Sequence, residues 1–170
     1  MKKTGIIIIG CLLLWTTVNC FIDCTLVIPV SSYRSTNLPL KVGDKVNFFN
    51  NFDFSKGHWS AYIVLNRYDY KDLDPAIKKA GCLKTTDISL LQKMKQQWNF
   101  VYTGADMATV QSAIYIFRDN KLVFESGIVL DKVNQGLQSE MAGFTHTEKP
   151  NALTESCAAF KKVYWPVVIL

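Results

Sequence analysis

The apolar residues of this chain follow three patterns: an unbroken run at the start, alternation through the middle, and helical spacing in two stretches. Alternation is clearest from Trp59 to Asn66. Trp59, Ala61, Ile63 and Leu65 share one side of an extended strand, and Ser60, Tyr62, Val64 and Asn66 take the other. Thr25–Val30, Lys45–Phe49 and Asn99–Thr103 are rich in β-branched and aromatic residues and are expected as further strands. Ser112–Phe117 and Leu122–Leu130 flank Arg118-Asp119-Asn120-Lys121. Asp and Asn tolerate positive φ, so a hairpin with a two-residue turn is expected there. Its second strand places Leu122, Phe124, Ile128 and Leu130 on one face, with Gly127 expected at a bulge or a close backbone approach.

Helical signals come from caps and spacing. Asp74-Pro75 reads as an N-cap and first helical residue, and Gly81 as the end of a short helix Pro75–Ala80. Thr86 or Asp87 caps a longer helix in which Ile88, Leu91, Met94 (or Lys95) and Trp98 recur at a period near 3.6. Ala152–Lys162 reads as a helix with Leu153, Cys157, Phe160 and Tyr164 inward, Glu155 in its first turn and Lys161 and Lys162 in its last. Ser31–Pro39, Gly104–Thr109 and Gln135–Pro150 read as loops. The apolar end, Tyr164–Leu170, is expected as a last core strand, with an exposed docking strip as the alternative. The predicted fold is a single α+β domain. A mainly antiparallel sheet of five to seven strands carries two or three helices on one face, behind an N-terminal signal or anchor segment.

That N-terminal segment has the layout of a bacterial export signal: Lys2-Lys3, the apolar run Gly5–Trp15, then Thr16-Thr17-Val18-Asn19-Cys20. The expected organisation is a signal peptide over 1–19 (or an uncleaved anchor to about 22) and a domain over 20–170 with a short tether. Three fates are open. Cys20 is a lipoprotein cysteine, with Val18 fitting the recognition pattern and Thr17 and Asn19 departing from it. An ordinary peptidase cuts near Val18-Asn19-Cys20. Or Thr4–Ile22 stays as a helix of roughly 28 Å, close to a bilayer core. All three put the body in the periplasm or cell envelope, because the lysines stay inside.

The formal charge is +5, two units of which sit on Lys2 and Lys3. That is too little for a nucleic-acid surface, and export argues against one as well. Outside the leader stand Cys20, Cys24, Cys82 and Cys157. In an oxidising compartment a Cys82–Cys157 bridge is expected, of a kind that contributes about 2–4 kcal/mol. With no C-x-x-C and with histidines far from the cysteines, no zinc site is expected.

No G-x-S-x-G, H-E-x-x-H, phosphate loop or dinucleotide fingerprint is present, and no cofactor or metal is expected. The candidate titratable groups are His58 and the pair His146 and Glu148. Asp69, Asp72 and Asp74 fit turn and cap chemistry better than calcium, since no glycine opens the loop and Lys71 intrudes. Phe48, Phe49, Phe52 and Phe54 are interleaved with Asn50, Asn51 and Asp53. With Tyr62, Tyr68 and Tyr70 nearby they suggest a binding surface carried by Phe49, Phe52, Phe54, Tyr62 and Tyr70. The expected function is that of an exported, membrane-tethered small binding protein of the envelope, of inhibitor or immunity type, with a protein partner. The alternatives are an envelope hydrolase with a site near His146, Glu148 and His58, and a structural or assembly lipoprotein.

Overall fold

The computed structural model describes residues 2–22, 26–28, 39–105, 111–139, 142–165 and 167–170. In chain order the elements are α1 (Lys2–Ile22), β1 (Leu26–Ile28), β2 (Lys45–Val46), β3 (Trp59–Val64), a 3-10 turn (Arg67–Lys71) and β4 (Cys82–Thr85). There follow α2 (Ile88–Gln97), β5 (Phe100–Tyr102), β6 (Ala113–Arg118), β7 (Lys121–Leu130), β8 (Gln135–Ser139) and β9 (Gly143–Thr147). α3 (Ala152–Ala158), β10 (Lys161–Lys162) and β11 (Val167–Ile169) complete the chain.

Nine strands form one sheet in the order β10-β4-β3-β6-β7-β8-β9-β5-β2, and every neighbouring pair in it is antiparallel. With three helices among the described residues, the domain is α+β. The period-two pattern of β3 is realised: Trp59, Ala61 and Ile63 are buried and the residues between them are half-buried. The buried side joins Ile114 and Ile116 of β6, Phe124 and Ile128 of β7 and Leu137 of β8 in one core. α2 and α3 close that same face, through Leu91 and Met94 of α2 and Leu153 and Cys157 of α3. Asp87, not Thr86, is the α2 cap; its carboxylate accepts from the Ser89 and Leu90 N–H groups at 2.9 and 3.3 Å. The β6–β7 turn is as expected, with Asp119 and Asn120 at φ 51° and 62°.

Several sequence expectations are corrected. The sheet is larger than five to seven strands. Gln135–Pro150 is not a loop but holds the β8–β9 hairpin, whose polar, β-branched faces conceal it: Thr145 is fully buried and bonds the Leu137 carbonyl at 3.1 Å. Pro75–Ala80 is no helix. Asp74 instead accepts from the Ala76 N–H at 2.9 Å in a tight turn, and the chain passes into β4. The bulge is not at Gly127; the β6–β7 register slips between Ile116 and Phe117, which leaves Val123 as the extra residue. α3 ends at Ala158, where Lys78 Nζ reaches the Ala158 and Phe160 carbonyls at 3.2 and 2.8 Å. Tyr164, expected on the inner face of that helix, is 61% exposed. β11 pairs with β1 in a separate parallel ribbon rather than joining the core sheet.

The Cys82–Cys157 bridge is also corrected: both are free, buried thiols. In β4, Leu83 lies in the core cluster, so its neighbour Cys82 faces the opposite side of the sheet. Cys157 sits in the core beneath α3. A disulfide needs Cα atoms about 4.4–6.8 Å apart with converging Cβ vectors, and the sheet stands between these two. Cys24 and the side chain of Cys20 lie outside the described residues. Ile6–Ile9 and Leu12–Leu14 of α1 are exposed, and among the described residues no helix is long and apolar enough to cross a membrane.

Candidate functional site

The side of the sheet away from α2 and α3 becomes concave at one edge. Lys84 of β4 lies directly opposite Tyr62 of β3, and its Nζ stands 4.9 Å over the Tyr62 ring centroid. On its other side Lys84 is paired with Lys161 of β10. β10 is only two residues long and entirely lysine, the usual construction of a sheet edge that must not recruit another strand. After the Val163 N–H bonds the Cys82 carbonyl at 3.0 Å, the chain leaves the sheet. Lys162 Nζ lies 5.2 Å from the Tyr164 ring centroid, and Trp165 follows, 73% exposed.

The chain then forms the ribbon. β11 pairs with β1 at Leu26–Val167, Val27–Val168 and Ile28–Ile169, and the Leu170 N–H reaches the Ile28 carbonyl at 3.0 Å. Between ribbon and sheet edge lies a groove of about 670 Å³. Its walls include Tyr62, Lys84, Lys161, Lys162, Tyr164 and Trp165, and no carboxylate is among its described lining residues. Lys84 and Lys161, cross-strand partners on the Tyr62 side of the sheet, bring two ammonium groups to a recess with aromatic walls and focus positive potential there. A second recess of about 420 Å³ continues from it over the start of α2, sharing Lys84 and Lys161 and adding Lys93 and Asp87. Asp87 already occupies the first N–H groups of α2, and Lys93 stands 3.8 Å from Glu155, so the cationic character belongs mainly to the larger groove.

Of the residues singled out from sequence, Tyr62 is in this groove. Phe49 and Phe54 are corrected: at 0% and 3% exposure they are core, not surface. Phe52 is half-buried, with its ring 5.6 Å from Phe49 and 5.5 Å from Trp59. The cause is local. The Asn47 side chain accepts from the Phe49 N–H and donates to the Lys95 carbonyl at 2.9 and 2.8 Å, while Lys95 Nζ donates to the Phe52 carbonyl at 2.8 Å. These bonds fasten the aromatic segment against the end of α2 and turn its rings inward. Tyr70 is half-buried against the core.

His58 is exposed at the start of β3, and His146 lies on β9, not in a loop. Three strands separate β3 from β9, which puts the two strands roughly 19 Å apart at about 4.8 Å per step, and the register sets the histidines at opposite ends of β7. His146 Nδ1 is 2.8 Å from the Thr147 carbonyl oxygen, and Glu148 pairs with Lys45. The three side chains are therefore not brought together. Asp69 accepts from the Ser112 hydroxyl at 2.6 Å, tying the 3-10 turn to β6. Among the described residues no group of three or more His, Cys, Asp or Glu is placed to hold a metal ion.

Sequence reasoning missed Lys84, Lys161, Lys162 and Trp165 as a set. From sequence, Lys161 and Lys162 read as a helix terminus. The available signal was the change at Val163-Tyr164-Trp165 from helix formers to β-branched and aromatic residues. Comparison with protein families, with curated proteins and with solved structures finds no match for this chain.

Proposed function

We propose that this chain is an exported protein of the bacterial cell envelope, lipid-tethered at Cys20, whose domain binds a partner protein in the lysine-lined groove. The supporting observation is the groove itself. Lys84 and Lys161 face the groove from neighbouring strands beside Tyr62, Tyr164 and Trp165, and no carboxylate is among its described lining residues. An acidic, extended segment carrying apolar side chains fits that chemistry: carboxylates meet the ammonium groups while aromatic walls desolvate the contact. An inhibitor or immunity role, in which the domain occupies and blocks an envelope-acting protein, is the most specific form of this reading.

The test is site-specific photo-crosslinking in the native envelope. A photoreactive residue at Thr86, on the groove wall, captures one discrete protein. The same residue at Val133, 80% exposed in the β7–β8 turn, does not. Changing Lys84 and Lys161 together to Glu reduces the Thr86 adduct roughly tenfold or more. An adduct that survives the double reversal, or equal capture from both positions, refutes the groove as the partner site.

A further inference from the structure

The two faces of the β1–β11 ribbon differ. Strand alternation and the observed register put Leu26, Ile28, Val167 and Ile169 on one face, at 51%, 39%, 42% and 67% exposure. Val27 and Val168 take the other face and are half-buried, and Val167, Val168 and Ile169 all border the groove. The outward face is wholly aliphatic, and Trp165 extends it. We propose that this face rests on the phospholipid bilayer that holds the N-terminus, making a second membrane contact beside the tether.

Chain length selects the bilayer as occupant. Leu26 is six residues from Cys20, so a lipid on that cysteine holds β1 within at most about 20 Å of the membrane. Pairing with β1 brings β11 to the same level, although more than 130 residues separate the two strands in sequence. The composition agrees with the position: the aliphatic side chains point outward, and Trp165, 73% exposed at the rim of the groove, is of the residue type that favours the headgroup zone.

This inference rests on the tethered reading, and the experiment separates the two. The protein is expressed from its full-length sequence in its own envelope with Trp15→Phe, so that an uncleaved leader adds no indole, and is reconstituted into phosphatidylcholine–phosphatidylglycerol vesicles. Trp59 and Trp98 are 4% and 0% exposed, so Trp165 supplies the quencher-accessible emission. Expected are flotation with the vesicles, quenching by brominated acyl chains, and protection from aqueous acrylamide. The lipid-quenched component disappears in Trp165→Phe. It also disappears in Ile169→Asp, with flotation and the urea midpoint unchanged. Flotation with Trp165 open to acrylamide and unaffected by bromine overturns the lipid contact and leaves the tether standing. Flotation with Trp165 shielded from both quenchers overturns it in favour of a protein or self contact. Failure to float overturns the tether and the lipid contact with it.

Discussion

His58 and Asp119 hold each other twice. The His58 N–H donates to Asp119 Oδ1 at 2.8 Å, and the Asp119 N–H donates back to the His58 carbonyl at 2.8 Å. The pair fastens the entry of β3 to the β6–β7 turn, where Asp119 has a positive φ. Asp119→Ala removes the acceptor and places an unsuited residue in a left-handed conformation, so unfolding should become easier by about 1–2 kcal/mol. A lowered urea midpoint with an unchanged m-value would be the signature.

Gly57 presses against the same carboxylate. Its φ is +84°, and an added Cβ would stand 2.8 Å from Asp119 Oδ2. Gly57→Ala should therefore destabilise by about 1–2 kcal/mol. In the Asp119→Ala background the carboxylate clash is gone while the 3.1 Å approach to Arg118 Nε and the backbone strain stay, so the penalty should shrink but not vanish. A double-mutant cycle reads the difference.

Trp98 is fully buried, and its indole N–H donates to the Ser156 hydroxyl at 3.1 Å. Ser156 in turn donates to the Ala152 carbonyl at 2.9 Å, so one serine links α2 to α3. Ser156→Ala leaves the indole N–H buried and unpaired, a loss of about 1–3 kcal/mol. Thermal unfolding of the variant, against Glu155→Ala at an exposed neighbouring position as control, measures it.

The two body thiols should be inert in the folded protein. Burial pushes Cys82 up to about 12 from an ordinary 9.0 and pushes Cys157 up as well. A thiol reagent at pH 8 should modify neither until denaturant is added, and non-reducing mass analysis should find both reduced. The unfolded chain releases these protons near pH 9 and the folded chain keeps them. Stability is thus intact below pH 9 and falls as pH rises toward 12, by about 1.4 kcal/mol per pH unit from each thiol. Cys157→Ser should flatten that slope.

Gly136 on β8 has no room for a side chain, because a Cβ would overlap the Thr145 carbonyl oxygen and sit 2.8 Å from the Phe144 ring. Gly136→Ala should open the β8–β9 hairpin, costing about 1–3 kcal/mol. Hydrogen exchange should localise the loss to the β8 and β9 amides and spare β3.

Elements whose signal lies within a few neighbouring residues were readable from the chain: the alternation of β3, the Asp119-Asn120 turn, and the start of α2, narrowed to Thr86 or Asp87, with the Leu91, Met94 and Trp98 stripe. Each is dictated by local sterics or by a period, so it survives without knowledge of what packs against it. The groove was not readable, because its lysines and aromatics come from β3, β4, β10 and the residues after it, and only strand pairing makes Lys84 a neighbour of both Tyr62 and Lys161. The same holds for Phe49, drawn inward by Asn47 and Lys95, and for Cys82, turned away from Cys157 by one residue of strand register. Period and cap chemistry are encoded within one or two turns of chain. Which side of a sheet a residue meets, and what stands across from it, depends on pairings between distant segments whose closure entropy and packing are settled only in the assembled domain.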